Sequence, residues 1–357
     1  IRFRIDGVLH DMITLPKNLQ DALVARVKIL SNLKIDEHRL PQDGRFKFIN
    51  GNTKIALRVS IIPTFFGENI VLRLLSESER PLTLQELGFT GRNLKIMENN
   101  LKENHGMILV TGPTGSGKTT TLYSLLNMLN SPETKICTVE DPIEYGFRRI
   151  SQIQVNEKTG LTFEAGLRSL LRHDPDIIMV GEIRDEATAD ISIHSALTGH
   201  LVLSTLHTND APSAIPRFVD LGAKPFLISS TINLVVAQRL VRKICESCIV
   251  EVKPDKILLQ ELSAMLNASF KTLVSKKYFH GSGCNKCHKT GFKGRVGVYE
   301  VFEMDDDLRE LLLKNLPVKE IAKYAKKKGM TTMLEDGFEK VLNKITTIEE
   351  ILRVARE

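Results

Sequence analysis

The chain has 357 residues, 42% hydrophobic and 26% charged, with 49 basic against 43 acidic residues and a formal charge of +6. That length suits about two domains at roughly 150 residues each, and the composition is ordinary globular, which excludes disorder, collagen and a disulfide-dense secreted scaffold. The charge is too mild to demand nucleic acid as a partner, and no apolar run reaches the ~18–20 residues needed to cross a bilayer.

The N-terminal part alternates as strands should. Ile1, Phe3 and Ile5 share one parity, Ile55, Leu57, Val59 and Ile61 repeat the pattern, and Ile70, Leu72 and Leu74 follow a turn-like PTFFGEN. A helix is expected from about Lys17 to Leu33. The opening IRFRID reads as a strand already in progress, so residues are expected to precede Ile1; nothing near it has the basic-then-apolar pattern of a signal peptide. Ser78 to Pro81 reads as a short polar linker. From about Leu87 to Leu240, helical patterns alternate with apolar runs at Met107–Val110, Ile136–Val139, Ile177–Val180 and Leu201–Leu203. That rhythm predicts a parallel α/β sheet. A Lys- and Gly-rich stretch bracketed by two CxxC pairs runs from about Arg242 to Arg295, with a helical insert at Leu258–Leu266. The C-terminal remainder reads as helices: Pro317 opens one, Gly329 closes it, and Thr347 with Glu350 offers a capping box for the last. The lysines at 323, 326, 327 and 328 read as solvated surface.

The segment Gly112, Pro113, Thr114, Gly115, Ser116, Gly117, Lys118, Thr119, Thr120 matches the phosphate-binding pattern GxxxxGK[ST]. An apolar run precedes it and a helical pattern (Leu122, Leu125, Leu126, Leu129) follows. Its glycines let backbone N–H groups approach phosphate oxygens that a Cβ would exclude, and the helix starting near Lys118 adds its positive end. Lys118 is expected on the β- and γ-phosphates of a nucleotide and Thr119 on Mg²⁺.

Ligands of a parallel sheet sit beyond the strand C-termini, so acids there should converge on this loop. Glu140, Asp141 and Glu144 follow the second apolar run, and Glu182 follows the third. Such acids hold Mg²⁺ through water or position an attacking water. Water activation is assigned to Glu182; Asp176 precedes its strand and lies at the wrong end. The fourth run leads into Ser204, Thr205 and His207, a polar group able to hydrogen-bond a γ-phosphate or relay its loss, although a lone histidine is more often structural.

Cys245, Cys248, Cys284 and Cys287 form CxxC…CxxC with 35 residues between the pairs. Four thiolates at these spacings suit a closed, structural tetrahedral Zn²⁺ site, with paired redox thiols as the alternative. Cys137 reads as a packing residue. A hairpin turn centred between Phe65 and Phe66 pairs Arg58 with Arg73. Like charges directly opposite destabilise a sheet, so an anion should neutralise the two.

GPTGSGKTT, CTVEDPIE, RHDPDIIMVGEIRD and GHLVLSTLHTND, in that order, resemble four boxes of the secretion ATPases, the hexameric motors of type II secretion and type IV pilus assembly. The four cysteines match the assembly-type members. The resemblance implies a RecA-like ATPase domain behind an N-terminally truncated PAS-like domain. Expected segments are 1–80 for the PAS-like domain, 81–90 for a linker, 91–242 for the ATPase domain, 243–298 for a zinc subdomain and 299–357 for C-terminal helices. It further implies ATP, Mg²⁺ and Zn²⁺, a homo-hexameric ring, and a cytoplasmic location peripheral to the inner face of the membrane. An inner-membrane platform protein is the implied partner, with a membrane-recruiting partner reached through an N-terminal domain absent here, and no nucleic acid. In that family, arginines matching Arg58 and Arg73 reach across a domain cleft to the nucleotide phosphates. Arg168, Arg172, Arg184 and Arg217 match arginines near the cleft or a subunit interface, where salt bridging is an equal alternative. The competing readings are a RecA-like motor translocating nucleic acid and a non-hydrolysing nucleotide-binding adaptor. The absence of Trp and presence of only five Tyr give the former little for a stacking channel.

Overall fold

The computed structural model describes residues 1–50, 53–76, 80–314 and 317–356, and divides into two compact units, Ile1–Arg80 and Pro81–Glu357. The expected linker residues Ser78 and Glu79 lie outside the described residues.

In the first unit, β1 (Arg2–Ile5) and β2 (Val8–Asp11) form an antiparallel hairpin. Its two-residue turn places Asp6 and Gly7 at φ of 49° and 90°, as an Asp-Gly turn of mirror-image hand requires. Helix α1 (Gln20–Leu30) is shorter than expected, because a single 3₁₀ turn, Lys17–Leu19, takes up its start. Three antiparallel strands follow: β3 (Gln42–Asn50), β4 (Thr53–Thr64) and β5 (Gly67–Ser76). Leu57, Val59 and Ile61 are buried on one face. The opposite parity brings Arg58 against Arg73, as the turn predicts, and also against Arg45 on β3. Lys28 of α1 is wholly buried, held by Glu68 at 2.7 Å and by the Glu37 carbonyl at 2.6 Å.

The second unit is built on a seven-stranded sheet. Helices α2 (Leu84–Leu87) and α3 (Gly91–Asn100) lead into β6 (Gly106–Thr111), α4 (Lys118–Leu129), β7 (Ile136–Glu140) and β8 (Ile150–Gln154). There follow α5 (Phe163–Leu170), β9 (Ile177–Val180), α6 (Glu186–Leu197), β10 (Leu201–Leu206), α7 (Ala214–Asp220), α8 (Pro225–Thr231) and the long β11 (Ile232–Ile244). The cysteine-bearing lobe contains β12 (Ile249–Val252), α9 (Lys256–Leu266), α10 (Phe270–Val274) and β13 (Tyr278–Gly281). The chain then returns as β14 (Phe292–Glu303) and ends in α11 (Asp306–Leu313), α12 (Val318–Lys327), α13 (Met333–Leu342) and α14 (Ile348–Arg356).

The strand order is β14-β11-β6-β10-β9-β7-β8, parallel throughout except for β14 at the edge. All four expected apolar runs are strands of this sheet, buried on both faces because helices cover both. Successive residues show it: Met107 and Leu109 join a core with α6, α7 and α8, whereas Ile108 and Val110 join one with α2, α3 and α4. β11 and β14 run straight through the boundaries expected at residues 243 and 298, so the cysteine lobe grows out of the sheet edge. A third core beneath it joins Leu259 and Leu262 of α9 to Ile351 and Leu352 of α14. The expected capping box at α14 is half formed. Thr347 accepts the Glu350 N–H at 3.4 Å, while the Glu350 carboxylate is taken by Arg242 at 2.7 Å and Arg353 at 3.0 Å.

Candidate active site

The phosphate loop spans the gap between β6 and α4. Gly112, Gly115 and Gly117 take φ of 143°, 82° and 91°, conformations that strain any side-chain-bearing residue. A Cβ on Gly112 would also lie 2.5 Å from the Gln238 carbonyl oxygen. Lys118 Nζ donates to the carbonyls of Gly112 at 2.8 Å and Pro113 at 3.1 Å, so the ammonium lies within the loop's curve. Burial pulls its pKa down, against the opposing pull of Glu182. Thr119 and Thr120 open α4 on its exposed side.

Glu182 stands two residues beyond β9, only 14% exposed, with Arg184 Nη2 at 2.5 Å and His207 Nε2 at 3.6 Å. His207 follows the tip of β10. Burial lowers its pKa first and the Lys118 charge second, against Glu182. Loop lysine, strand-tip glutamate and histidine are thus electrostatic neighbours at one sheet edge. That convergence follows from parallel strands whose C-termini all face the same way. Asp176 sits before β9, where it accepts the Lys135 N–H at 2.6 Å.

Two expectations need correction. Glu140 does not face the phosphate loop as a water- or metal-binding acid. Its side chain is buried, and both oxygens are engaged by Tyr123 Oη, by Thr138 Oγ1 at 2.5 Å and by Gln152 Nε2 at 3.0 Å. The backbone N–H of Glu144 donates to the same Tyr123 hydroxyl at 3.1 Å, so this tyrosine ties the acid to the loop after β7. Burial and Glu140 push the Tyr123 hydroxyl pKa well up and that of Tyr145 to about 12, keeping both neutral. Ser204 and Thr205, expected near the γ-phosphate, spend their hydroxyls on the carbonyls of Val180 at 2.7 Å and Gly181 at 2.8 Å. They tie β10 to β9 instead. Arg168 takes up the salt-bridging alternative, pairing with Glu164 at 3.0 Å on its own helix.

Arg184 also borders a cavity of about 680 Å³ whose other polar walls include Asp141, Glu157, Glu164 and Asp190. Two residues that sequence reasoning missed grip the loops from β11. Gln238 bonds the phosphate loop and α4, and Arg239 Nη2 reaches Asn209 Oδ1 at 3.3 Å in the loop after β10. Their signal was a polar pair interrupting the apolar run Leu234–Val241.

The four cysteines form a separate centre. Their sulfurs all lie within 4.8 Å of one another, with three neighbouring pairs at 3.7, 3.8 and 3.9 Å. A tetrahedron with Zn–S bonds of about 2.3 Å has S···S edges of about 3.8 Å, so the group could hold such an ion. The Cys284 N–H donates to Cys287 Sγ at 3.1 Å and draws that thiol toward its thiolate form, the state that binds metal.

A glycine-rich loop between the first parallel strand and its helix, with an acid at the tip of the strand two places away, defines a P-loop nucleotide-binding α/β protein. Within that class the chain belongs to the type II/IV secretion system protein family, whose profile matches residues 1–353. It is 44% identical over 353 residues to the type IV pilus assembly ATPase PilB of Myxococcus xanthus, covering 99% of this chain and 62% of that protein. It is 46% identical over 357 residues to type II secretion system protein E of Pseudomonas aeruginosa, covering 100% of this chain and 70% of that protein. Among solved structures, the pilus retraction motor PilT with bound ADP aligns at a TM-score of 0.66 and 25% identity, over 100% of this chain and 90% of that one. The Legionella pneumophila ATPase DotB aligns at 0.69 and 22% identity over 98% and 88%, a likeness of fold. Among the described residues, no helix is long and apolar enough to cross a membrane.

Proposed function

We propose that this chain is the ATP-hydrolysing motor portion of a type IV pilus assembly or type II secretion machine. The observation that carries the reading is the meeting of Lys118, Glu182 and His207 at one sheet edge beside the positive-φ glycine loop. Lys118 and the loop N–H groups hold the β- and γ-phosphates, and Thr119 ligates the Mg²⁺ that accompanies ATP. Glu182 orients the attacking water, and Arg184 holds the carboxylate in place. His207 senses the γ-phosphate: burial first, then the charges of Lys118 and Glu182, the groups the phosphate joins, bias its proton equilibrium. Glu140 shapes the pocket through Tyr123, and Glu144 is placed with it. Arg58 and Arg73, paired across β4 and β5, act as arginine fingers toward the charge that develops on the transferred phosphate.

The four cysteines hold a structural Zn²⁺. Six copies form a ring, peripheral to the cytoplasmic face of the inner membrane, and drive a platform protein there. This extends to the chain what the relatives' names say of them; the chain spans 62% of the M. xanthus protein's length.

The test is Glu182→Gln. ATP should remain bound while turnover falls by ~10²–10⁴-fold, the range for loss of a general base. Hydrolysis at the unaltered rate would show that another group prepares the water. Lys118→Ala should abolish nucleotide binding.

A further inference from the structure

Gln238 lies on β11 one residue past Ala237, the last residue of that strand paired with β6. Beyond this point β11 continues alone on that side and flanks the phosphate loop. Gln238 is 1% exposed, and both ends of its amide are used. Nε2 donates to the Ser116 carbonyl at 2.6 Å, and Oε1 accepts from the Thr121 hydroxyl at 2.8 Å. Its backbone carbonyl lies where a Cβ on Gly112 would fall, and its Nε2 would be 3.1 Å from one on Gly117. One residue therefore touches the start of the loop, its end and the first turn of α4.

In a trans peptide the C=O and the following N–H point in opposite directions. Drawing the Ser116 carbonyl toward β11 therefore turns the Gly117 N–H away from β11. Anion binding by such a loop depends on successive N–H groups sharing a direction. The Ser116 carbonyl, which can only accept, settles which end of the amide is the donor. With Nε2 given to Ser116, Oε1 is left to accept from the Thr121 hydroxyl, itself buried at 0% exposure.

We propose that Gln238, steadied by Thr121, is a positioning residue for nucleotide: it holds the Ser116–Gly117 peptide in the orientation that presents its N–H to the phosphates. This rests on the reading of residues 112–120 as a nucleotide site. It predicts that donor character at position 238, more than volume, sets phosphate affinity.

The experiment is titration of the full chain with a fluorescent ADP and with ATP, for Gln238→Glu, Thr121→Val and Thr121→Ser, from pH 5 to pH 8, with unfolding temperature measured in parallel. At pH 8 the carboxylate of the Gln238→Glu variant faces the Ser116 carbonyl with no donor, and the peptide turns. ADP affinity should fall ~10-fold or more, the loss of one charge-assisted hydrogen bond. Affinity should recover as pH falls and the carboxyl regains a proton to donate, a rescue measured relative to the unsubstituted chain. Thr121→Val should weaken binding several-fold and Thr121→Ser should not. Thr121→Val also supplies the test if Gln238→Glu fails to fold. Unchanged ADP affinity in folded Gln238→Glu and Thr121→Val, or a loss with no recovery at low pH, would overturn the proposal while leaving the nucleotide site standing. Failure of the unsubstituted chain to bind either nucleotide would overturn both.

Discussion

Glu300, buried on β14, accepts the Ala211 N–H at 2.9 Å and so fastens the loop that follows His207. Burial raises its pKa to about 7, the Ala211 N–H opposes this, and Asp210 adds to it; Lys326 and Glu335 contribute smaller pulls of opposite sign. Unfolded, the carboxyl returns to about 4.3. Between these values the folded chain binds the proton more tightly, so this group's contribution to stability is most favourable below about pH 4.3 and falls as pH rises toward 7. A difference of about 2.7 at 1.36 kcal/mol per pH unit is about 4 kcal/mol in full, of which about 3 falls between pH 4.5 and 8. Glu300→Gln keeps an oxygen for the Ala211 N–H and removes the titration. Urea unfolding of both proteins from pH 4.5 to 8 isolates the effect, because every other group titrates in both. The variant's stability minus that of the unsubstituted chain should rise by about 3 kcal/mol across this range. A difference independent of pH would refute the assignment of a buried, proton-binding carboxylate at this site.

Cys284→Ser should remove bound zinc, read as metal stoichiometry after gel filtration, and lower the unfolding temperature of the cysteine lobe while ATP binding persists. One retained zinc per chain would remove the four-cysteine assignment. Glu350→Gln breaks the pair with Arg242, whose partner carboxylate is 2% exposed, and should cost ~3–5 kcal/mol in denaturant unfolding. Although burial works against it, Arg242 and Arg353 hold this carboxyl at about 2. Its contribution is therefore fully present above about pH 4.3 and lost as pH falls toward 2; the variant should lack that acid-side loss. Arg73→Ala should slow ATP turnover by ~10³-fold or more if the residue is an arginine finger, and turnover at the unaltered rate would remove that assignment.

The four apolar runs of the central sheet and the loop between the first of them and α4 were legible because burial on both faces leaves an uninterrupted apolar signature. The strands β3 and β8 were not. Residues such as Gln42, Arg45 and Gln152 carry little strand propensity, and pairing with β4 and β7 decides their conformation. The candidate site was read as a set of residue types at strand tips, which brought out Lys118, Glu182 and His207. What chain position does not encode is which way a side chain turns. Glu140, like Glu182, reads as an acid at a strand tip, yet Tyr123, Thr138 and Gln152 capture it inside the fold. Gln238 was invisible for the converse reason: its partners, Ser116 and Thr121, lie more than 100 residues away in sequence.

β11 does not stop at the sheet edge. Beyond Gln238 and Arg239 it continues, paired with β14, to Ile244, and the next residue is Cys245. Seven residues of extended chain amount to about 23 Å of stiff rod between the wall of the phosphate loop and the cysteine knot. A metal ion at the far end would act as the rod's footing. Stripping it should leave the strands paired yet let the near end wander, so that the penalty is paid in how accurately a nucleotide is seated.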